Sequence, residues 1–220
     1  MNNEVLLRSN MKHILYFMDG NPVLDGEKIT MRKITKADAQ DMYLYSCKPE
    51  VTKYLLWNPH ESYLYTKRYL DEVMRQYKAH NFFDFAVVCK DDGRMIGTCG
   101  FTKLDTINHS AEIGYVLSSD YWGKGIATEA VKMILRFAFC NLGLHRVEAR
   151  YMPANLASRR VMEKNQMIFE GIERDGIYVK GAYQDVGKCA ILRDGYFAQH
   201  DNRPFWGIES STRSPFSFFG

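Results

Sequence analysis

Apolar residues recur along this chain in two rhythms, and the switches between them mark out its elements. At residues 28–34, KITMRKI, Ile29 and Met31 alternate with polar neighbours and Ile34 follows after a break of phase, which predicts a strand. Thr35 then stands as an N-cap before the helical stretch DMYLYS. Over residues 63–79, Tyr65, Tyr69, Val73 and Tyr77 recur every four residues, with Lys67, Arg68, Asp71, Glu72 and Arg75 around the rest of the turn. That pattern predicts an amphipathic helix. DFAVVCK and RMIGTCGFTKL, joined through Asp91, Asp92 and Gly93, read as an antiparallel hairpin, and AEIGYVL at 111–117 as a third strand.

The period changes again in TEAVKMILRFAFCNLG. There Ala127, Val131, Ile134 and Ala138 share one helical face, Glu129, Lys132 and Arg136 another, and Gly143 is the expected stop. HRVEARY alternates Val147, Ala149 and Tyr151 against Arg146, Glu148 and Arg150, so it reads as a strand with the first set inward. MPANLASRRVMEKN returns to helical period with Asn155 as N-cap, and IERDGIYV and YQDVGKCAILRDGYF close the chain as a pair of strands. This order predicts one mixed α/β domain of the α+β type.

A chain of 220 residues suits a single domain with a substantial core, drawn here at 27–198 between an N-terminal extension, 1–26, and a tail, 199–220. The formal charge of +3 is far from that of a dedicated nucleic-acid binder, so no nucleic-acid partner is expected. MKHILYFMDG near the start is too short for a signal-peptide core, and no run reaches the roughly 18–20 apolar residues of a membrane span. The five cysteines stand singly and form no CxxC pair, which reads as reduced thiols in a cytoplasmic protein with no metal site. The tail carries Phe205, Trp206, Phe216, Phe218 and Phe219, aromatic residues that disordered tails usually lack. It is expected to dock on its own domain or on a neighbour, and the protein to be a monomer or a homodimer.

The chemistry concentrates in SSDYWGKGIATEA, residues 118–130. A P-loop needs wider glycine spacing and a hydroxyl after its lysine, whereas Gly123, Lys124, Gly125 and Ile126 follow one another. A dinucleotide fingerprint fits partly, with Gly123, Gly125 and Thr128 before a helix and Glu148 about twenty residues on. Its third small residue is absent, and SSDYW separates strand from glycine. What remains is physical: Gly, Lys, Gly, Ile, Ala, Thr opening a helix presents free backbone N–H groups, and glycines let a bulky anion reach them. A pyrophosphate suits such a cradle, although the same residues also serve as a plain glycine-rich connection.

AEIGYVLSSDYWGKGIATEAVKMILRFAF, HRVEARYMPANLASRRVMEKNQMIFEG and KGAYQDVGKCAILRDGY together resemble the GNAT superfamily of acetyl-coenzyme A dependent N-acetyltransferases. The resemblance is nearest to the ribosomal-protein N-terminal (alanine or serine) branch and spans about residues 29–197. It implies a mostly antiparallel central sheet with a splayed pair of strands, flanked by helices. It implies a pyrophosphate loop at Trp122, Gly123, Lys124, Gly125, Ile126 and Ala127, with tryptophan in place of the pattern's Gln or Arg and Thr128 adding a hydroxyl. Val116, Leu117 and Ser118 would face the pantetheine arm, and a backbone N–H near Tyr115 or Val116 the thioester oxygen.

Asn155 and Ser158 match the family's N-x-x-S, which places both beside that arm and makes Ser158 the candidate proton donor to the leaving thiolate. Glu112 is the candidate base for the acceptor amine, with Tyr115 a weaker catalytic candidate. Tyr183 and Asp185, within G-x-Y-x-D, are implied at the acceptor entrance. Gln166 stands where relatives commonly have glycine, and Asn165 is expected to end that helix in the left-handed conformation. The expected reaction is direct attack of a primary amine on acetyl-CoA. A protein N-terminus, an aminoglycoside or a polyamine are open as acceptors, and a non-catalytic acetyl-CoA sensor or scaffold is the alternative.

Overall fold

In the computed structural model, which describes Ile14, Tyr16 and residues 19–199, a short strand β1 (Leu24–Asp25) pairs antiparallel with β2 (Ile29–Lys33). Thr35 caps a single 3-10 turn: its carbonyl accepts the Asp38 N–H at 3.2 Å, and the Asp38 carboxylate takes the Thr35 N–H at 2.7 Å. The chain continues as α1 (Ala39–Ser46), α2 (Pro49–Thr52) and α3 (Tyr63–Lys78). The hairpin β3 (Phe83–Cys89) and β4 (Met95–Asp105) follows, then β5 (Ser110–Leu117), α4 (Ile126–Arg136), β6 (Arg146–Tyr151) and α5 (Leu156–Lys164). The long hairpin β7 (Ile168–Val179) and β8 (Ala182–Leu192), and a last turn α6 (Arg193–Phe197), complete the described chain.

Among the described residues all strands form one eight-stranded sheet in the order β1-β2-β3-β4-β5-β6-β8-β7. Every pairing is antiparallel except β5 with β6, which are joined through α4 in a crossover that parallel neighbours require. Their ladder runs from Ser110↔Arg146 to Ile113↔Ala149 and then stops, although β5 continues to Leu117 and β6 to Tyr151. The two strands therefore part in the middle of the sheet, as the expected splayed pair.

Two cores lie on opposite faces. On one, Phe85, Val87, Cys99, Phe101, Ala111, Ile113, Val147 and Ala149 pack against Val131, Ile134, Phe137 and Ala138 of the α4 region. On the other, Ala86 and Met95 meet Met42 and Tyr45 of α1 and Leu70 and Val73 of α3. The strand alternation that separates these faces also sends Asp84 and Glu112 to the second one.

Several expectations meet corrections. Leu24 is fully buried and Ile14 nearly so, so packing begins before the 26/27 boundary; residues 1–13, 15, 17 and 18 and the tail from residue 200 lie outside the described residues. On α3 the buried residues are Thr66, Leu70 and Val73, while Tyr65 and Tyr69 are exposed. A strict spacing of four gains on the 3.6-residue turn, so a tyrosine stripe winds off the core face. α4 runs on through a π-helical stretch, Phe137–Asn141, before Gly143 turns with φ 67°. Asn165 ends α5 at φ −95°; it is Gln166 that takes φ 60°. RDGYF, read as strand, is the turn α6, because the β6 ladder ends at Arg146↔Leu192.

Candidate functional site

The loop before α4 is shaped by its glycines. Gly123 and Gly125 sit at φ 75° and 81°, and a Cβ at Gly123 would meet nothing within 4 Å. At Gly125 the nearest atom to such a Cβ is Lys28 Nζ, at 4.0 Å. The concavity is open, its first-turn N–H groups have no acceptor within the helix, and the helix dipole adds positive potential. Lys28, which donates from Nζ to Lys124 O at 3.1 Å, brings a cation from β2 that reading the loop alone had not supplied. Trp122 donates its indole N–H to Leu117 O at 2.9 Å, so its ring braces the loop against the strand end, where Gln or Arg would offer a polar contact. These groups fit a pyrophosphate.

The freed edge of β5 leads from that loop into the sheet. Val116 lines a cavity there, whereas Leu117 and Ser118 turn their side chains into buried positions and leave only backbone along the arm's expected path. Ser118 N–H is already donated to Ile96 O at 2.7 Å. Asn155 caps α5 by accepting from Ser158 N–H at 3.2 Å. The Ser158 hydroxyl lies 2.8 Å from that of Tyr115, which also lies 3.0 Å from Ser158 O. Burial pushes the Tyr115 phenol well above its ordinary pKa, against the hydrogen bond to Ser158, so it is a fixed neutral donor.

An inner cavity of about 310 Å³ gathers Glu112, Tyr115, Val116, Asn155 and Ser158 with residues that sequence reasoning missed: Asp84, Thr98, Thr102, Arg150 and the segment Tyr54 to Trp57. Thr102 donates its hydroxyl to Glu112 Oε1 at 3.0 Å. Asp84 accepts from Phe85 N–H at 3.0 Å and from the Thr98 hydroxyl. Burial outweighs both and raises its pKa to about 7. Arg150 is tied to Glu173, 3.2 Å away, which also holds Lys188 at 2.8 Å. The available signal was the acid standing alone in the apolar strand FDFAVVC. Nothing local could show that β3, β4 and β5 align it with Glu112.

A second, outer cavity of about 580 Å³ shares Tyr54 and Met152 with the inner one and includes Tyr183 and Asp185. Tyr183 is exposed and meets the Tyr178 ring at 5.0 Å. Asp185 is engaged in structure, accepting Asp175 N–H at 2.9 Å across an irregular stretch of the β7–β8 pairing. Lys180 at the hairpin turn donates to Thr52 O at 2.6 Å, which ties this wall to α2. Among the described residues no group of three or more His, Cys, Asp or Glu could hold a metal ion, and no helix is long and apolar enough to cross a membrane.

This geometry has counterparts in known proteins. The chain is 34% identical over 173 residues to "Uncharacterized N-acetyltransferase p20" of Bacillus licheniformis, covering 77% of this chain and 96% of that one. It is 31% identical over 171 residues to "Putative ribosomal N-acetyltransferase YdaF" of Bacillus subtilis (strain 168), covering 76% and 92%. The solved structure of a GNAT-family acetyltransferase from Bacillus anthracis superposes with a TM-score of 0.71 at 28% identity, over 79% of this chain and 99% of that one. The Acetyltransferase (GNAT) domain matches residues 28–168. With the splayed β5–β6 pair, the glycine cradle and these likenesses together, the chain belongs to the GNAT acetyltransferase family.

Proposed function

We propose that the protein transfers an acetyl group from acetyl-CoA to a primary amine by direct attack, with no covalent acetyl-enzyme. The observation that carries this reading is the parting of β5 and β6 after Ile113 and Ala149. It opens the sheet between the cradle at Gly123 and Gly125 and a cavity bearing Glu112. The loop and Lys28 hold the pyrophosphate, and the pantetheine amides pair with the β5 backbone around Val116 and Leu117 as an added strand, with Ser118 beside the arm. Asn155 flanks the arm from the cap of α5.

A backbone N–H near Tyr115 or Val116 faces the carbonyl oxygen that gains negative charge. The acceptor must be neutral to attack, and Glu112 takes its proton directly or through water. As the new C–N bond forms and the C–S bond breaks, the Ser158 hydroxyl, fixed by Tyr115, protonates the thiolate. A thiol with an ordinary pKa of about 8.5 needs only modest help to leave.

The acceptor taken first is the α-amine of a protein N-terminus. An α-amine, with a pKa of about 7.7–8.0, is far easier to deprotonate than a lysine-like amine at about 10.4. The name of the YdaF relative points the same way. Tyr183 and Asp185 would line the approach.

Release of free thiol with a panel of amines tests the proposal. Glu112→Gln is expected to lower kcat/KM by roughly 10²–10⁴-fold near pH 7 and to recover toward high pH, where the acceptor deprotonates unaided. Acetyl-CoA binding without turnover on any amine would replace this reading with a non-catalytic sensor.

A further inference from the structure

We propose that Asp84 is a second anionic anchor in the inner cavity, and that the acceptor carries a second cationic nitrogen besides the amine that is acetylated. This rests on the acetyltransfer reading and names the chemistry of its acceptor.

The register fixes Asp84 on the acceptor side of the sheet. It pairs with Gly100, which pairs with Gly114 of β5, two residues from Glu112. Between the two acids stand Gly100 and Gly114, flanked by Thr98 and Thr102. A Cβ at Gly100 would stand 2.4 Å from Asp84 Cα and 2.7 Å from Asp84 Oδ1, so only glycine leaves that carboxylate its place.

Charge supplies the second half of the argument. Asp84 and Glu112 both line the cavity, yet among the described residues neither lies within ion-pair distance of a cation. Their hydrogen-bond donors are neutral: the Thr98 hydroxyl and Phe85 N–H for one, the Thr102 hydroxyl for the other. The cavity's own arginine, Arg150, is already engaged by Glu173. A carboxylate held in a partly desolvated cavity loses hydration, and a second positive centre on the ligand relieves that cost at Asp84. Trp57 on the same wall adds an aromatic ring beside which an ammonium can sit, whereas the Tyr54 ring already has Lys53 Nζ 5.1 Å from its centroid.

The division of labour follows from position. Glu112 stands on β5, beside the gap where the thioester is placed, so it serves the reacting nitrogen. Asp84 lies two strands away, on the order of 12 Å from it at the backbone by ordinary sheet spacing. A chain of a few carbons spans that separation once both acidic side chains reach inward.

Calorimetric titration of the full-length protein saturated with coenzyme A tests this without requiring turnover. The probes are 1,4-diaminobutane against 1-aminobutane, and seryl-lysine amide against seryl-norleucine amide. At least one dication is expected to bind ten-fold or more tightly than its monocation partner, and Asp84→Asn to bring that ratio to within about two-fold. Thr98→Val, which removes the hydroxyl that holds the carboxylate, is expected to reduce the ratio in part. A gain confined to the diamine identifies a small-molecule acceptor, and one confined to the peptide a protein N-terminus followed by a basic residue. Equal binding of both members of each pair, or a ratio that survives in folded Asp84→Asn, overturns the proposal. Thiol release from acetyl-CoA with 1-aminobutane, measured on separate portions of the same protein without added coenzyme A, reports separately on acetyl transfer.

Discussion

The hydroxyls of Tyr115 and Ser158 lie 2.8 Å apart, linking the freed end of β5 to the first turn of α5. Ser158 is held at both ends, because its own N–H is donated to the Asn155 cap. Ser158→Ala is expected to lower kcat by roughly 10²-fold, with little change in acetyl-CoA affinity, as befits loss of one proton donor. Tyr115→Phe acts by releasing Ser158 and should cost less, about 10-fold. Its mark should be a kcat that recovers more with a good thiol leaving group than with coenzyme A. Steady-state kinetics with two acyl thioesters measures both, and equal losses for the two thioesters would refute a proton-donor role.

Gly125 tests the cradle. Its φ of 81° is left-handed, and the space beside it is open apart from Lys28 Nζ. Gly125→Asp places a carboxylate where phosphates would sit, and is expected to weaken acetyl-CoA binding at least 30-fold by calorimetry. Gly125→Ala adds only backbone strain of about 1 kcal/mol, so its effect on affinity should be several-fold smaller. Unchanged cofactor affinity in the Asp variant would remove the loop from the site.

A third prediction concerns the scaffold at the start of α1. Asp38 is nearly buried and accepts from Arg32 at 2.6 Å and 2.9 Å and from Thr35 N–H at 2.7 Å. Burial pushes its pKa up, but the Arg32 hydrogen bonds, the Thr35 N–H and the Arg32 charge outweigh it and leave it below the usual value. A carboxylate depressed in the folded state stabilises above its unfolded pKa of about 3.9, and that stability is lost as pH falls through the folded value. Asp38→Asn should therefore cost about 2 kcal/mol at pH 7, less than a fully buried pair because Arg32 is partly exposed. The gap should close below about pH 4, as measured by urea unfolding at several pH values.

The elements near the site were legible because each has a local cause. Alternation placed β6 with Val147, Ala149 and Tyr151 inward, and Asn155 announced α5 by the cap it makes. The loop's residues were legible through their glycines, and Glu112 through its place in the strand before them. Asp84, Thr98 and Arg150 were not, since their meeting depends on register across β3 to β6, and register is a property of pairing between distant segments. Lys28 was missed for the same reason: its approach to Gly125 depends on the Lys28 N–H to Glu129 Oε1 bond of 2.9 Å, which docks the start of β2 on α4. Tyr65 and Tyr69 misled because spacing of four imitates a buried stripe without staying on one face.

The acid at the cavity floor should weaken the fold it belongs to. Burial raises the Asp84 pKa to about 7, against the Thr98 and Phe85 hydrogen bonds that favour its charged form. A group raised above its unfolded pKa, about 3.9 for Asp, contributes stability that is full below that value and is lost as pH rises through the folded pKa. The protein should thus lose stability between about pH 4 and pH 7 through this one residue. Asparagine keeps the shape and can still accept from Thr98 and Phe85, but it has no charge to desolvate. Because the carboxyl borders an open cavity, the gain for Asp84→Asn at pH 8 should be about 2 kcal/mol, less than the full shift converts to. For a chain of this size that raises Tm by about 4–8 °C, while at about pH 3.5 the two proteins should melt within about 1 °C of each other. Calorimetric melting without ligands at the two pH values measures this. A variant that melts no higher than wild type at pH 8 would show that Asp84 carries no such cost, and a stabilised variant that loses its preference for dications would show stability exchanged for recognition at one residue.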